Sequence, residues 1–153
     1  MDQSEIEDAF SPFLTELRAG GFVPPVEGRT AELVAAHVAT NNDLIAAVAE
    51  QIAAGERPSY DNTIVIDDAR LAEFATEARG LDELARAVET SARRLAAAWA
   101  ALDDVTGAYE LPSRIFDAGF LVRDGAFPIR DFIEGNATVH LEIHFDQLMA
   151  LRP

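Results

Sequence analysis

The sequence predicts an all-α fold, a four-helix bundle with one short β-hairpin inserted between its third and fourth helices. Three observations carry that expectation. Four long segments space their apolar residues three and four apart, the signature of helices with one buried face. Glycine, proline and turn dipeptides punctuate the chain between those segments, with Pro12 and Gly135 as the internal weak points. One stretch, 104–128, switches to aromatic and β-branched residues around a turn signal. The 153 residues suit one domain, 1–153, without a repeat or linker.

The first helix is expected over 2–18, with Ile6, Phe10, Phe13, Leu14 and Leu17 on one stripe and Pro12 as a kink. Gly20 and Gly21, then Pro24 and Pro25, end it. The second begins at Thr30, whose hydroxyl suits an N-cap, and Glu32 puts an anion where the helix dipole favours one. It runs to Ala54 and stops at Gly55, with Pro58 beyond. Residues 56–66 connect, and their β-branched run from Thr63 to Ile66 either pairs briefly or packs. A helical pattern resumes over 67–79 and breaks at Gly80. The third long helix spans 82–103, on a stripe of Leu84, Val88, Ala92, Leu95, Trp99 and Leu102. The hairpin turns at Asp117, Ala118 and Gly119, flanked by Ile115 and Phe116 and by Phe120, Leu121 and Val122. The last helix covers 129–151.

Composition excludes several functions. The chain has 27 acidic and 12 basic residues, a formal charge of −15, and every basic residue is arginine. Binding a phosphate backbone needs cations clustered on one face, and here only Arg93 and Arg94 are adjacent. No nucleic-acid role and no anionic membrane partner is expected. The acidic N-terminus lacks the basic and apolar regions of a signal peptide, and no run of apolar residues is long enough to span a bilayer. The sequence holds no cysteine. A cytoplasmic setting is the expectation, and a cysteine nucleophile or Cys-based zinc site is excluded.

The placement of the three histidines is the informative feature. His37 lies on the second helix's stripe with Val34, Asn41, Ile45, Val48 and Ile52. His140 and His144 lie on the fourth, with Ile133, Asn136, Ala137, Leu148 and Leu151. Residues four apart share a helix face, so the last two imidazoles can aim at one point and His37 can meet them from a facing helix. Three imidazoles plus an open position is a catalytic zinc arrangement. Zinc heads the expectation, but nickel, iron and cobalt accept the same three nitrogens, so the ligand set does not name the metal. The pattern alone leaves a second reading standing, in which these are hydrogen-bonded core histidines. A carboxylate di-iron bundle fails, because the residues three before each histidine are Val34, Ala137 and Leu141. An H-E-x-x-H site fails too, because Leu141 follows His140 and the glutamate is Glu142.

The stretch from Gly28 to Val38 and the later stretch from His140 to Leu148 resemble the DinB-like superfamily, near the metal-binding domain of mycothiol-dependent maleylpyruvate isomerases. The hairpin from Gly119 to Gly125, followed by Pro128, Ile129, Arg130 and Asp131, is similar as well. The resemblance implies that His37, His140 and His144 are the metal ligands, and that the protein uses a low-molecular-weight thiol, mycothiol or bacillithiol, as nucleophile on an electrophile. Three departures are visible. The isomerases tend to carry Glu at the position of His140 and Trp at that of Arg29, and they have a further C-terminal domain, whereas this chain ends at Pro153. The three-histidine set therefore looks more like general DinB-like proteins and thiol S-transferases.

With that chemistry in view, the catalytic group is expected to be a water or thiolate on the metal, and two side chains are candidates for support. Asn41 stands one turn from His37, and Arg130, like Arg114 and Arg123, is placed to meet a carboxylate of the thiol or substrate. Asp146 and Gln147 follow His144; Gln147, seven residues from His140, is placed to bond an imidazole, and solvation is the other reading for both. The alternative function is a non-catalytic metal- or ligand-binding stress-response bundle. A homodimer is compatible with either.

Overall fold

The computed structural model describes residues 1–153 as a mostly helical chain carrying a three-stranded sheet. The helical stripes read from the sequence form one apolar cluster of 33 buried residues.

The first expected helix is two. Helix α1 (Gln3–Ala9) ends at Phe10, and α2 (Ser11–Ala19) starts at once with Pro12 in its first turn. Proline lacks the amide that a continuous helix needs but suits a helix start. Asp2 caps α1 in a reciprocal capping box with Glu5. Both helices still bury the predicted stripe of Ile6, Phe10, Phe13, Leu14 and Leu17.

Helix α3 (Ala31–Ala53) follows the expectation closely. The Thr30 hydroxyl accepts from the Leu33 amide at 3.3 Å, and Gly55 takes φ +87° past the end. Its core face alternates branched residues with Ala35, Ala36, Ala39, Ala46 and Ala49, all buried. Small residues there let α3 pack closely on α5 (Leu81–Ala101), whose predicted stripe is buried through Leu102 except at Trp99. Trp99 is only half-buried, stacked under the Arg130 guanidinium at 4.9 Å. Between them lies α4 (Asp68–Ala78), capped by the Asp67 side chain on the amides of Ala69 and Arg70.

The hairpin is longer than expected and is not alone. Strands β2 (Glu110–Asp117) and β3 (Phe120–Pro128) pair antiparallel after a one-turn helix, α6 (Asp104–Gly107). Their two-residue turn has Ala118 at φ +46° and Gly119 at φ +82°, the left-handed pair that matches strand twist. A two-residue strand from the connecting segment, β1 (Tyr60–Asp61), adds parallel to β2, with Tyr60 opposite Ser113. Thr63–Val65 then form a 3₁₀ turn rather than a strand. At the β2 bulge between Ile115 and Phe116, the Asn62 side chain substitutes for a strand: its amide donates to the Phe116 carbonyl at 2.9 Å, and its oxygen accepts from the Phe116 amide at 2.7 Å.

The fourth helix is interrupted where glycine weakened it. Helix α7 (Ile129–Gly135) passes into a wide π turn, Asn136–His140, and then into α8 (Leu141–Met149). That wide turn places Asn136 and His140 against α3.

Candidate metal centre

Helix α3 supplies His37, and the π turn and α8 supply His140 and His144. Their candidate ligand atoms all lie within 4.8 Å of one another. His140 Nε2 stands 3.2 Å from His37 Nε2 and 3.0 Å from His144 Nε2. His37 and His144 are buried, and His140 is half-buried.

The far side of two rings is fixed. His37 Nδ1 lies 2.5 Å from the Val65 carbonyl, and a carbonyl can only accept, so Nδ1 carries the proton and Nε2 presents its lone pair. His144 Nδ1 lies 2.8 Å from Gln147 Oε1, which sets the same tautomer. Two lone pairs therefore converge on His140 Nε2, which has one proton at most to share between them. One proton serves at most one of the two contacts fully, whereas a cation among the nitrogens would engage all three lone pairs. For a tetrahedral zinc with nitrogens at 2.0–2.1 Å, neighbouring nitrogens stand about 3.3 Å apart, close to the two distances from His140 Nε2. The donor set fits a divalent metal.

Electrostatics points the same way. Burial pushes His37 down to about 3, helped by the nearby His144 and Arg29 and opposed by the Val65 bond and Asp68. Burial pushes His140 down to about 2, with His144, His37 and Arg29 adding to it. Burial lowers His144 too, against the Gln147 bond. All three imidazoles are held neutral, the form that ligates metal.

Beside the histidines runs a buried polar chain. The Tyr60 hydroxyl donates to Asn41 Oδ1 at 2.6 Å, Asn41 Nδ2 to Asn136 Oδ1 at 2.9 Å, and Asn136 Nδ2 to Asn42 Oδ1 at 2.9 Å. Asn42 Nδ2 reaches the Ser91 hydroxyl at 3.3 Å, which donates to the Val88 carbonyl at 2.9 Å. The chain ties β1, α3, the π turn and α5 together, so the helices bearing the histidines are locked in register. Burial raises the Tyr60 hydroxyl well above its usual range, which keeps it a donor.

The histidines open into a cavity of about 1170 Å³, lined also by Asn41, Tyr60 and Asn136, by the loop around Arg29 and by the hairpin. Asn41 sits where the sequence placed it, with both its polar atoms engaged by Tyr60 and Asn136. Arg130 does not reach the cavity. It donates to the Leu102 carbonyl at 2.5 Å, stacks on Trp99 and faces Asp104 at 3.8 Å. Arg123 lines the cavity, and Arg114 instead covers Phe116 at 5.2 Å. Gln147 bonds His144, while Asp146 and Glu142 are exposed. Sequence reasoning missed Tyr60, Arg29 and the Val65 carbonyl. Asparagine at two buried stripe positions, Asn41 and Asn136, was the signal for the polar chain, whereas a main-chain carbonyl leaves none.

A family model described as the mycothiol maleylpyruvate isomerase N-terminal domain matches residues 8–123. The matched span contains His37 and ends before His140 and His144. No curated protein and no solved structure matches the chain. No helix is long and apolar enough to cross a membrane.

Proposed function

The chain belongs to the family of the mycothiol maleylpyruvate isomerase N-terminal domain, a DinB-like domain, and from that premise we propose a divalent-metal enzyme that works with a low-molecular-weight thiol such as mycothiol, as a thiol S-transferase or an isomerase-like catalyst. The carrying observation is the convergence of three neutral Nε2 atoms, 3.0 and 3.2 Å apart, at the wall of a large cavity. Zinc is the metal we expect; His37, His140 and His144 would hold it, and it would supply Lewis acidity at the wall of the cavity. The four-helix DinB-like arrangement and a cytoplasmic setting, where small thiols stay reduced, belong to the same reading.

When bound, the metal supplies positive charge that deprotonates a thiol and orients it for attack. The chain's own residues do the rest. Val65 and Gln147 hold two imidazoles in the ligating tautomer. The Tyr60–Asn41–Asn136–Asn42 chain keeps the helices from drifting apart. The chain has no cysteine, so the sulfur comes from the small molecule. In a transfer, the thiol gives its proton to solvent and its sulfur forms a bond to the electrophilic carbon. The leaving group departs with the electron pair of the bond it loses.

Elemental analysis of protein purified without an affinity tag tests the metal. Near-stoichiometric zinc, lost in His37→Ala, supports the reading, and full occupancy in that variant refutes it. Metal-dependent consumption of mycothiol with a panel of electrophiles tests the chemistry. Bound metal without thiol consumption would return the protein to the non-catalytic binding alternative.

A further inference from the structure

The three imidazoles are not held alike. His37 and His144 are each anchored through Nδ1, by the Val65 carbonyl and by Gln147. His140 meets its neighbours only through Nε2, so its bearing is set by the backbone that carries it. That backbone is the wide turn Asn136–His140, after which the Leu141 amide donates to the Asn136 carbonyl, five residues back instead of four.

The turn changes which residues face the core. At about 100° per residue, an unbroken α-helix would bring His140, seven residues past Ile133, within about 20° of the Ile133 line. It would leave Leu141 and Leu148 about 80° and about 60° off that line. The structure has the opposite arrangement. Ile133, Leu141 and Leu148 are buried together in the core, while His140 is half-buried at the cavity. One extra residue in a single turn sets everything after it back by about 100°. Leu141 and Leu148 thereby come onto the core line, and His144 swings to about 80° on the other side, where it meets His37 of α3. Such a turn can form at neighbouring positions of a helix, so something must fix it here. The Asn136 side chain grips two successive residues of α3, accepting from Asn41 Nδ2 and donating to Asn42 Oδ1, both at 2.9 Å.

We propose that Asn136 is a positioning residue for His140. Its two-pronged grip on α3 pins the wide turn at Asn136–His140 and so aims the one imidazole that has no anchor of its own. The polar chain as a whole holds the helices at their spacing; this grip sets the winding of one of them. The proposal rests on the metal reading only for its consequence at the ligand, and the winding is testable in metal-free protein.

Scalar coupling across the hydrogen bond, between the Leu141 amide nitrogen and the carbonyl carbon it bonds, reports the turn in the full chain. Wild type is expected to couple to Asn136. In Asn136→Ala the coupling is expected to move to Ala137, the ordinary α-helical partner. Zinc affinity should then fall about 10–100-fold. The His140 Nε2 signal should leave its metal-bound position while those of His37 and His144 stay. Gly107→Ala, destabilised by its clash with Arg130 outside the cavity, should keep both the coupling and the affinity, which separates positioning from lost stability. Asn42→Ala removes one prong and should give a smaller loss of the same kind, the fallback if Asn136→Ala does not fold. A coupling that stays on Asn136 in both variants, wild-type zinc affinity once it has moved, or loss of all three histidine signals together would overturn the proposal. If wild type binds no zinc while the coupling moves as expected, the metal reading fails and the grip on the turn stands.

Discussion

The carbonyl of Val65 accepts the Nδ1 proton of His37 at 2.5 Å, across 28 residues of sequence. A short 3₁₀ turn in a connecting segment thus decides which nitrogen of a buried imidazole is free. Gln147 does the same for His144 from within one helix. Each ring is oriented by a group that never touches the cluster's centre.

That division of roles makes Gln147→Leu informative. Its residue is exposed, so the fold should stand, while zinc affinity is expected to drop by about 10–100-fold, the usual effect of losing such a partner. Competition against a chromophoric chelator measures it, and unchanged affinity would remove Gln147 from the site.

The depressed histidines make metal-free stability depend on pH. Unfolded, each imidazole titrates near its ordinary 6.5, whereas folded His37 titrates near 3 and His140 near 2. As pH falls below 6.5 the unfolded chain gains protons that the folded chain refuses, so stability is lost. The loss continues until the folded values are reached. Urea unfolding of chelator-treated protein between pH 7 and about 4.5, above the ordinary carboxylate range, should show stability falling with pH. A flat profile there would contradict neutral buried histidines.

Asn136→Leu should be among the costlier single changes. It orphans Asn41 Nδ2 and Asn42 Oδ1, both on buried residues. Each unsatisfied group costs about 1–3 kcal/mol, so a loss of roughly 2–4 kcal/mol is expected. Denaturant midpoints read it directly.

Gly107 is required by packing. A Cβ there would stand 2.6 Å from Arg130 Nε. Gly107→Ala should destabilise by about 1–3 kcal/mol, the usual range for overpacking. Adding Arg130→Ala should recover part of the loss, because the clash partner is gone. Strict additivity would show that the contact is not the cause.

Arg94 provides the contrast. It forms a bidentate pair with Glu50 at 2.9 and 2.8 Å and reaches Asp43 at 3.1 Å, all on exposed side chains. Arg94→Ala is expected to cost less than about 1 kcal/mol by thermal melting, since exposed pairs are screened by water and salt.

Much of the fold was legible because helical periodicity is local. The stripes on α1, α2, α3 and α5, the Thr30 cap and the Gly55 stop all follow from neighbouring residues. Two interruptions were visible as weak points, Pro12 and Gly135, although only the structure shows that the first divides a helix and the second precedes a wide turn. The third strand was not legible. Tyr60 and Asp61 have no strand pattern of their own, and pair because β2 offers an edge. Arg130 was misjudged for a similar reason. Its place in the chain sits beside the hairpin, but Trp99 and the Leu102 carbonyl draw it to the opposite packing.

The sequence by itself determined the helical class, the buried faces, and which three residues could serve as a nitrogen donor set, because a spacing of four is a statement about one helix. Tertiary structure decided what those residues can do. The distance between His37 and His140, the tautomers chosen by Val65 and Gln147, and the Arg29 guanidinium at the cavity wall depend on contacts between segments far apart in the chain. No local pattern encodes such contacts, and packing alone brings them together.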